Sequence, residues 1–484
     1  MPRIRTLLLS MVACALLTAS LWSTEALASH SQITFFEDTN ALLNPSTRPH
    51  VIAQLKYLGV KALRVELYWY EVAPSASSAT KPSFAATNPA SYNWGQYVSL
   101  LEEAKRLHWP VLLTVTSPVP RWATSNGKAP YITRPDQQDF REFMTAVAGE
   151  FGSEVSIYSI WNEPNHPAFL LPQFNANGSP ASGRIYRGLY QAGYEGLQAA
   201  GIAHPRVLFG ETAPTGYDSV KFLLREQKSK ALLHDVAPLA FLREALCLNS
   251  KYRKSSSCSE LQMSGYAHHA YTEPSGPHFV PKERDDVTIG ALARLSSALN
   301  LAAAAHAIPS GVPIYLTEFG VQSFPNKQLG VSAAKQSEYD AISEHIAYNN
   351  PRVAAFSQYL LTDDPVGGAP GASVHGGVVG FQTGLEYVNG TAKPLYFGWP
   401  IPLTVTKTRH GVSLWGLVRP ATGATTVTVL VRPKGSKRYR TLRTVQTNSL
   451  GYWSFNSSKP GQYWRVSWTS PEHVKYEGPP IKTS

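Results

Sequence analysis

This sequence predicts an α/β chain: a (β/α)8 TIM barrel followed by a small all-β, sandwich-like domain. Three observations carry that prediction. Short apolar runs alternate with amphipathic segments eight times between Ile33 and Leu360. Beyond Pro400 the apolar period falls to two, as in Thr426-Val427-Thr428-Val429-Leu430-Val431 and Tyr463-Trp464-Arg465-Val466-Ser467-Trp468, with Gly and Pro between the runs. The charge divides at the same place. Residues 401–484 hold thirteen Lys and Arg against two Glu, whereas residues 29–400 are close to neutral. At 484 residues the chain can bury one large core and one small one.

Residues 1–28 read as a secretory signal peptide. Arg3 and Arg5 make a basic start, Leu7 to Leu21 an apolar stretch, and Ala26-Leu27-Ala28 a small-residue cleavage site before Ser29. An uncleaved anchor is the alternative. No later run is long enough to cross a bilayer. Export suits the cysteines: Cys14 leaves with the leader, and Cys247 and Cys258 remain as a pair for an oxidising compartment. They flank the basic, serine-rich stretch Lys251 to Ser257, so a disulfide closing that loop is expected. Two unrelated thiols, one of them in an apolar 241–248 helix, is the alternative.

In residues 29–400 the expected strands are 33–36, 62–68, 111–116, 155–160, 206–210, 265–271, 313–317 and 353–360. The expected helices are 47–58, 94–107, 135–151, 182–200, a helical region through 241–248, 287–306 and 333–348. A doubly wound open sheet is the rival architecture, but no glycine-rich phosphate loop follows the first strand.

Two of these strands end in a lone glutamate. Val155 to Ile160 runs into Trp161-Asn162-Glu163-Pro164-Asn165, and Pro313 to Thr317 runs into Glu318-Phe319-Gly320. A carboxylate at the end of a buried strand is costly unless it is paired or used. In a barrel, both would lie at the carboxyl ends of strands, facing each other across the mouth. Two such carboxylates suggest glycoside hydrolysis. The bland reading of the first is an Asn-Glu-Pro turn that ends a strand.

With Asn162-Glu163-Pro164 after the fourth strand and Glu318 after the seventh, the sequence from about Ile33 to Trp399 resembles the retaining glycoside hydrolases of clan A, cellulase- or β-xylosidase-like. The resemblance implies that Glu318 is the nucleophile, Glu163 the acid/base with a raised pKa, and that neither a cofactor nor a metal is needed. It implies that Arg64, on the second strand, braces the nucleophile, against an internal Arg64–Glu66 pair of structural value only. His269 and Tyr271 share a face at the end of the sixth strand, and the resemblance gives Tyr271 a hydrogen bond to the nucleophile. Asn162 is placed to hold a sugar hydroxyl. The sequence departs from the pattern in two places. No His follows the third strand, and no Trp ends the eighth, where Gln358 or Tyr359 is expected to stand in. Trp69, Trp122 and Trp161 are the candidate stacking faces for a sugar.

The implied activity is a secreted endo-acting β-glycanase, extracellular or associated with the cell surface. An exo-acting β-glycosidase such as a β-xylosidase is the alternative, and a catalytically idle sugar-binding protein of the cell surface the alternative from another class. In residues 401–484, Trp415, Trp453, Trp464 and Trp468 are expected to fill a core rather than to bind sugar. The basic excess there, with Lys434, Lys437, Arg438, Arg440 and Arg443 close together, suggests contact with an anionic polysaccharide, against the reading of a merely solvated face. Nucleic acid is not an expected partner of an exported chain with a near-neutral barrel.

Overall fold

Eight parallel strands lie in chain order around a ring in a computed structural model that describes residues 32–224, 230–255, 258–365, 374–375, 378–459 and 461–483. The expected leader, residues 1–28, lies outside the described residues. The strands are β1 (Phe36–Glu37), β2 (Leu63–Tyr68), β3 (Val111–Thr116), β4 (Val155–Ile160), β5 (Val207–Thr212), β6 (Gly265–His268), β7 (Ile314–Leu316) and β8 (Val353–Phe356), the last continued after Ser357 by β9 (Gln358–Tyr359). Each pairs in parallel with the next, and β9 pairs with β1 through Phe36–Gln358 and Glu37–Tyr359, which closes the ring. The expected (β/α)8 barrel and all-β appendage are the observed architecture.

The floor of the barrel is one residue from each strand line: Phe35, Ala62, Leu112, Ile157, Leu208, Ala267, Tyr315 and Ala355, all buried and in mutual contact. Two residues further along each strand the side chains point inward again. That next layer holds Glu37, Arg64, Thr114, Ser159, Gly210, His269, Thr317 and Ser357. The apolar plug ends and a polar layer begins within one two-residue step, so the charged groups sit on a rigid floor. The outward residues of the same strands (Val65, Leu113, Ile160, Phe209 and Tyr266 among them) join the helices in the large core.

The helices include Arg48–Leu58, Gly95–Arg106, Gln137–Phe151, Ser182–Ala199, Pro238–Ala245, Leu292–Ala304 and Ala333–Tyr348. Local chemistry sets their ends. Asp136 and Ser332 accept hydrogen bonds from the backbone N–H groups of Asp139 and Lys335 as N-caps. Gly59 ends Arg48–Leu58 at φ 82°, and a Cβ there would lie 2.5 Å from the backbone nitrogen of Pro420. The 241–248 helix is displaced toward the N-terminus. It ends at Ala245, and Cys247 follows at φ 60° in a turn, bonded to Cys258 across a Cα–Cα distance of 6.1 Å.

Beyond the helix Pro394–Gly398, two antiparallel sheets pack face to face. One is Leu403–Thr408, Gly411–Leu417 and Tyr452–Ser457. The other is Arg440–Gln446, Thr426–Arg432, Tyr463–Thr469 and Lys475–Glu477, with Ile481–Lys482 also on Tyr463–Thr469. Trp453, Trp464 and Trp468 are buried with the inward valines. Trp415 is buried against the barrel, its ring stacked on His345 at 4.6 Å. The core role expected of these tryptophans is the one they have.

The junction between barrel and sandwich is itself buried. Arg419 donates to both carboxylate oxygens of Glu344 at 3.0 and 2.8 Å, and its guanidinium lies 3.8 Å from the centre of the Trp399 ring. Removing one partner of a buried pair leaves the other uncompensated, at about 3–5 kcal/mol. Arg419→Ala is therefore expected to destabilise the protein by about that much, read from denaturant unfolding. A loss below about 1 kcal/mol, the scale of an exposed pair, would show that the junction is not held this way.

Candidate active site at the barrel mouth

The site is assembled where the strands stop being regular. Parity along β4, counted from the floor residue Ile157, would turn Trp161 inward. Trp161 instead takes φ 70° and Glu163 φ 36°. Trp161 thereby swings out among the helices, where it is fully buried, edge-on to Phe140, and donates from Nε1 to the Phe169 carbonyl at 3.0 Å. Glu163 comes over the barrel axis, its N–H donating to the Glu211 carbonyl at 3.0 Å. Glu211 behaves alike. It has φ 45° at a shift of register between Gly210 and Thr212, and its carboxylate is fully buried among the inward groups.

Glu163 and Glu318 are joined through one imidazole. His269 Nδ1 lies 3.0 Å from Glu163 Oε1 and 3.6 Å from Glu318 Oε2. Those oxygens can be no further apart than the two contacts laid end to end, which only reaches the lower edge of the separation of about 6.5–9.5 Å found between the carboxyls of inverting glycosidases. Burial lowers the His269 pKa, so at neutral pH the ring is uncharged and carries one N–H. With Nδ1 facing carboxylates, the hydrogen belongs on Nδ1.

Glu318 is gripped from two further directions. Tyr271 donates its hydroxyl to Oε1 at 2.5 Å, and Arg64 Nη1 approaches Oε2 at 3.2 Å. Burial pushes the Glu318 carboxyl above the usual range. His269 and Arg64 pull it back, and Glu163 pushes it up again.

Arg64 does more than touch Glu318. Its fork is spread over a ring of acceptors. Nη2 donates to Glu211 Oε2 at 2.7 Å and to Asn162 Oδ1 at 2.9 Å, Nε reaches Glu211 Oε1 at 3.4 Å, and Nη1 pairs closely with Glu37. The Arg64–Glu66 contact is the long one at 3.5 Å, and Glu66 takes the Tyr68 hydroxyl instead. Thr114 donates to Glu211 Oε1 at 3.0 Å, and Asn162 N–H to Thr116 Oγ1 at 3.0 Å. Burial pushes the Glu37 and Glu66 carboxyls up, against the pull of Arg64. Five glutamates thus share one guanidinium and one neutral imidazole.

The structure therefore brings together Glu163, Glu318, Asn162, Arg64, His269 and Tyr271. Four other candidate sugar contacts lie elsewhere. Trp161 is in the helix layer. Trp69 is also fully buried, stacked on Phe143 at 5.0 Å and edge-on to Trp122. Neither ring is open to a sugar, because both fill the seam between the barrel and the Gln137–Phe151 helix. Trp122 is half-buried in that seam, with Nε1 donating to the Pro74 carbonyl and Lys81 above its ring. Gln358 is fully buried and spends its amide on the carbonyls of Tyr359, Leu360 and Thr383. Its neighbour Tyr359, half-buried and edge-on to Phe381, is the aromatic that the eighth strand line presents beside the carboxylates, and burial with Glu318 nearby raises its hydroxyl pKa.

The long loop after β2 packs in part on the Gln137–Phe151 helix, where Lys81 pairs with Asp139 at 2.5 Å and Tyr92 packs on Phe143.

Sequence reasoning missed Glu37 and Glu211. Glu211 carries the signal that found the other two, a lone glutamate after the apolar run Val207-Leu208-Phe209-Gly210, whereas Glu37 follows Phe35-Phe36 with a second carboxylate, Asp38, beside it.

No family model and no curated protein matches this sequence. Solved structures do match, and what they share with this chain is the fold, a TIM-like barrel of the kind that sugar-cleaving enzymes among them carry. A glucosidase from Croceicoccus marinus superposes with a TM-score of 0.50 at 9% identity, over 91% of this chain and 96% of that one. Beta-glucuronidase 2 of Bacteroides uniformis gives 0.44 at 9% identity, over 94% of this chain, which spans 46% of that protein's length. A xylanase from Thermotoga maritima gives 0.41 at 15% identity, over 76% of this chain and 93% of that one. At such identities the likeness is one of fold.

Proposed function

We propose that this protein is a secreted, retaining β-glycoside hydrolase that works by double displacement. The observation that carries the reading is the pair Glu163 and Glu318 meeting at His269 Nδ1, with Tyr271 and Arg64 on Glu318. Glu318 attacks the anomeric carbon while Glu163 gives its proton to the leaving glycosidic oxygen. Glu163 then takes a proton from water, which attacks the same carbon and releases Glu318. With its Oδ1 on Arg64, Asn162 offers Nδ2 to a sugar hydroxyl.

Arg64 is committed to its carboxylates, so it has no fork to spare for a uronate, and the five glutamates suit an uncharged sugar. An endo-acting β-glycanase is the first reading. Exo action is the second, favoured by the glucosidase of matching length. Turnover on a panel of neutral β-glycans and aryl β-glycosides tests the proposal. A ladder of oligosaccharides means endo action and release of a single sugar means exo action. No turnover on any member would leave the idle sugar-binding protein as the reading.

Tyr271→Phe removes a donor from the charged form of Glu318, so its pKa should rise further. The raised nucleophile must lose its proton to act, so activity climbs as pH rises through that pKa. The acid limb of kcat/KM is expected above the ordinary Glu value of about 4.3. In Tyr271→Phe it should move higher still, with kcat lower by on the order of tenfold. An unmoved acid limb would remove Tyr271 from this role.

A further inference from the structure

A second cluster of cations and rings lies on the sandwich, away from the barrel mouth. In the strands Thr426–Arg432 and Tyr463–Thr469, the valines and tryptophans point inward, so Arg432, Tyr463 and Arg465 point out. The Arg432 guanidinium lies 4.2 Å from the Tyr463 ring centre and 5.5 Å from that of Tyr439, and Arg465 lies 4.9 Å from Tyr439. Arg432 has no acidic partner among the described residues. Arg465 shares Glu477 with Lys475, so this face keeps a positive excess.

Arg465 and Glu477 also form one wall of a cleft of about 350 Å³ whose other wall comes from the end of the barrel chain, at Pro394 and Phe397, with Pro479 and Pro480 between. Phe397 is 47% exposed. Lys434, Lys437 and Arg438 in the turn before the edge strand, and Arg440 and Arg443 on it, are exposed as well. None of the five glutamates of the mouth lines this cleft.

We propose that this cleft and the adjoining sheet face form a second carbohydrate site, one that binds an anionic polysaccharide through its carboxylates. Guanidinium forks match carboxylates bidentately, and the rings and prolines offer flat apolar faces to the C–H faces of sugars. Stacked as they are on Tyr439 and Tyr463, the two guanidinium groups are held in place before any ligand arrives. The net charge of residues 401–484, thirteen cations against two carboxylates, draws an acidic polymer toward the site. The mouth and this face thus differ in charge. A neutral glycan would be cut at one while an acidic one is held at the other.

The test is affinity electrophoresis of the full chain in gels containing polygalacturonate or a neutral cellulose derivative, at low and high salt, with anionic phosphatidylglycerol vesicles as a third probe. Binding is read without turnover, so it stands or falls apart from the catalytic proposal. Polygalacturonate is expected to retard the protein in a salt-sensitive way. Arg432→Gln with Arg465→Gln should weaken this about tenfold or more. Lys327→Gln, which removes one positive charge from an exposed barrel residue, should leave it in place. Phe397→Ala, which alters only an exposed ring, should weaken it too and covers the case in which the double variant does not fold. The proposal is overturned by no retardation in polygalacturonate, by equal retardation in the neutral gel, by binding to vesicles alone, or by an effect of Lys327→Gln as large as that of the arginine pair.

Discussion

Glu163→Ala is expected to lower kcat on natural β-glycans by several orders of magnitude, because an alkoxide-like leaving group must then depart without a proton. General acid catalysis alone is worth about 10²–10⁴-fold. The loss should depend on the leaving group. An aryl glycoside that departs unaided should still load the enzyme, after which the glycosyl-enzyme waits for a base that is missing. Azide needs no deprotonation, so added azide should speed turnover and yield a β-glycosyl azide. The structure leaves room for this. Glu163 reaches the axis from its own turn after β4, and its backbone is held by the Glu211 carbonyl whatever its side chain. Unchanged glycan turnover in Glu163→Ala would remove Glu163 from the mechanism.

Glu318→Ala should be more severe, since no substrate of any leaving-group quality can form the covalent intermediate. It is expected to reduce kcat toward background on glycans and aryl glycosides alike, without rescue as a retaining enzyme. In the intact protein, a 2-fluoro glycoside of the accepted sugar slows both steps, and with an activated leaving group it should still load and then stay, leaving a labelled peptide containing Glu318. The grip of Tyr271 at 2.5 Å and Arg64 at 3.2 Å is what should favour the ionised attacking form against the burial that opposes it. A label on Glu37 or Glu211, the carboxylates that share Arg64, would transfer the role.

The barrel was legible because its physics is repetitive. Each buried strand is a short apolar run, and β3 and β4 came out at their observed limits, Val111–Thr116 and Val155–Ile160. Strand ends were less legible. The first was expected at 33–36; Ile33 does bridge Ala355, and the pairing runs one residue further than expected, to Glu37, because the ring closes on Gln358–Tyr359 beyond the break at Ser357. Gln358 is one step off the inward alternation of Ala355 and Ser357, so its side chain binds loop carbonyls instead of facing the cleft.

The two glutamates were visible because an isolated carboxylate after an apolar strand has few bland explanations. The tryptophans were not. A ring's direction depends on the local backbone, and the positive φ of Trp161 reverses what strand parity implies. Glu211 was visible as a strand-terminal glutamate, but its inward turn rests on the same kind of irregularity. The pairing of Arg64 with Glu37 joins β2 to its neighbour β1, and no spacing along the chain encodes it.

The most direct test of the account is proton NMR of the reaction as it starts, on a β-glycoside the protein accepts. If Glu318 and Glu163 act by double displacement, the first sugar product is the β-anomer, and the α-anomer grows in later by mutarotation. Initial release of the α-anomer would mean a single inverting displacement, and would contradict the account at its centre.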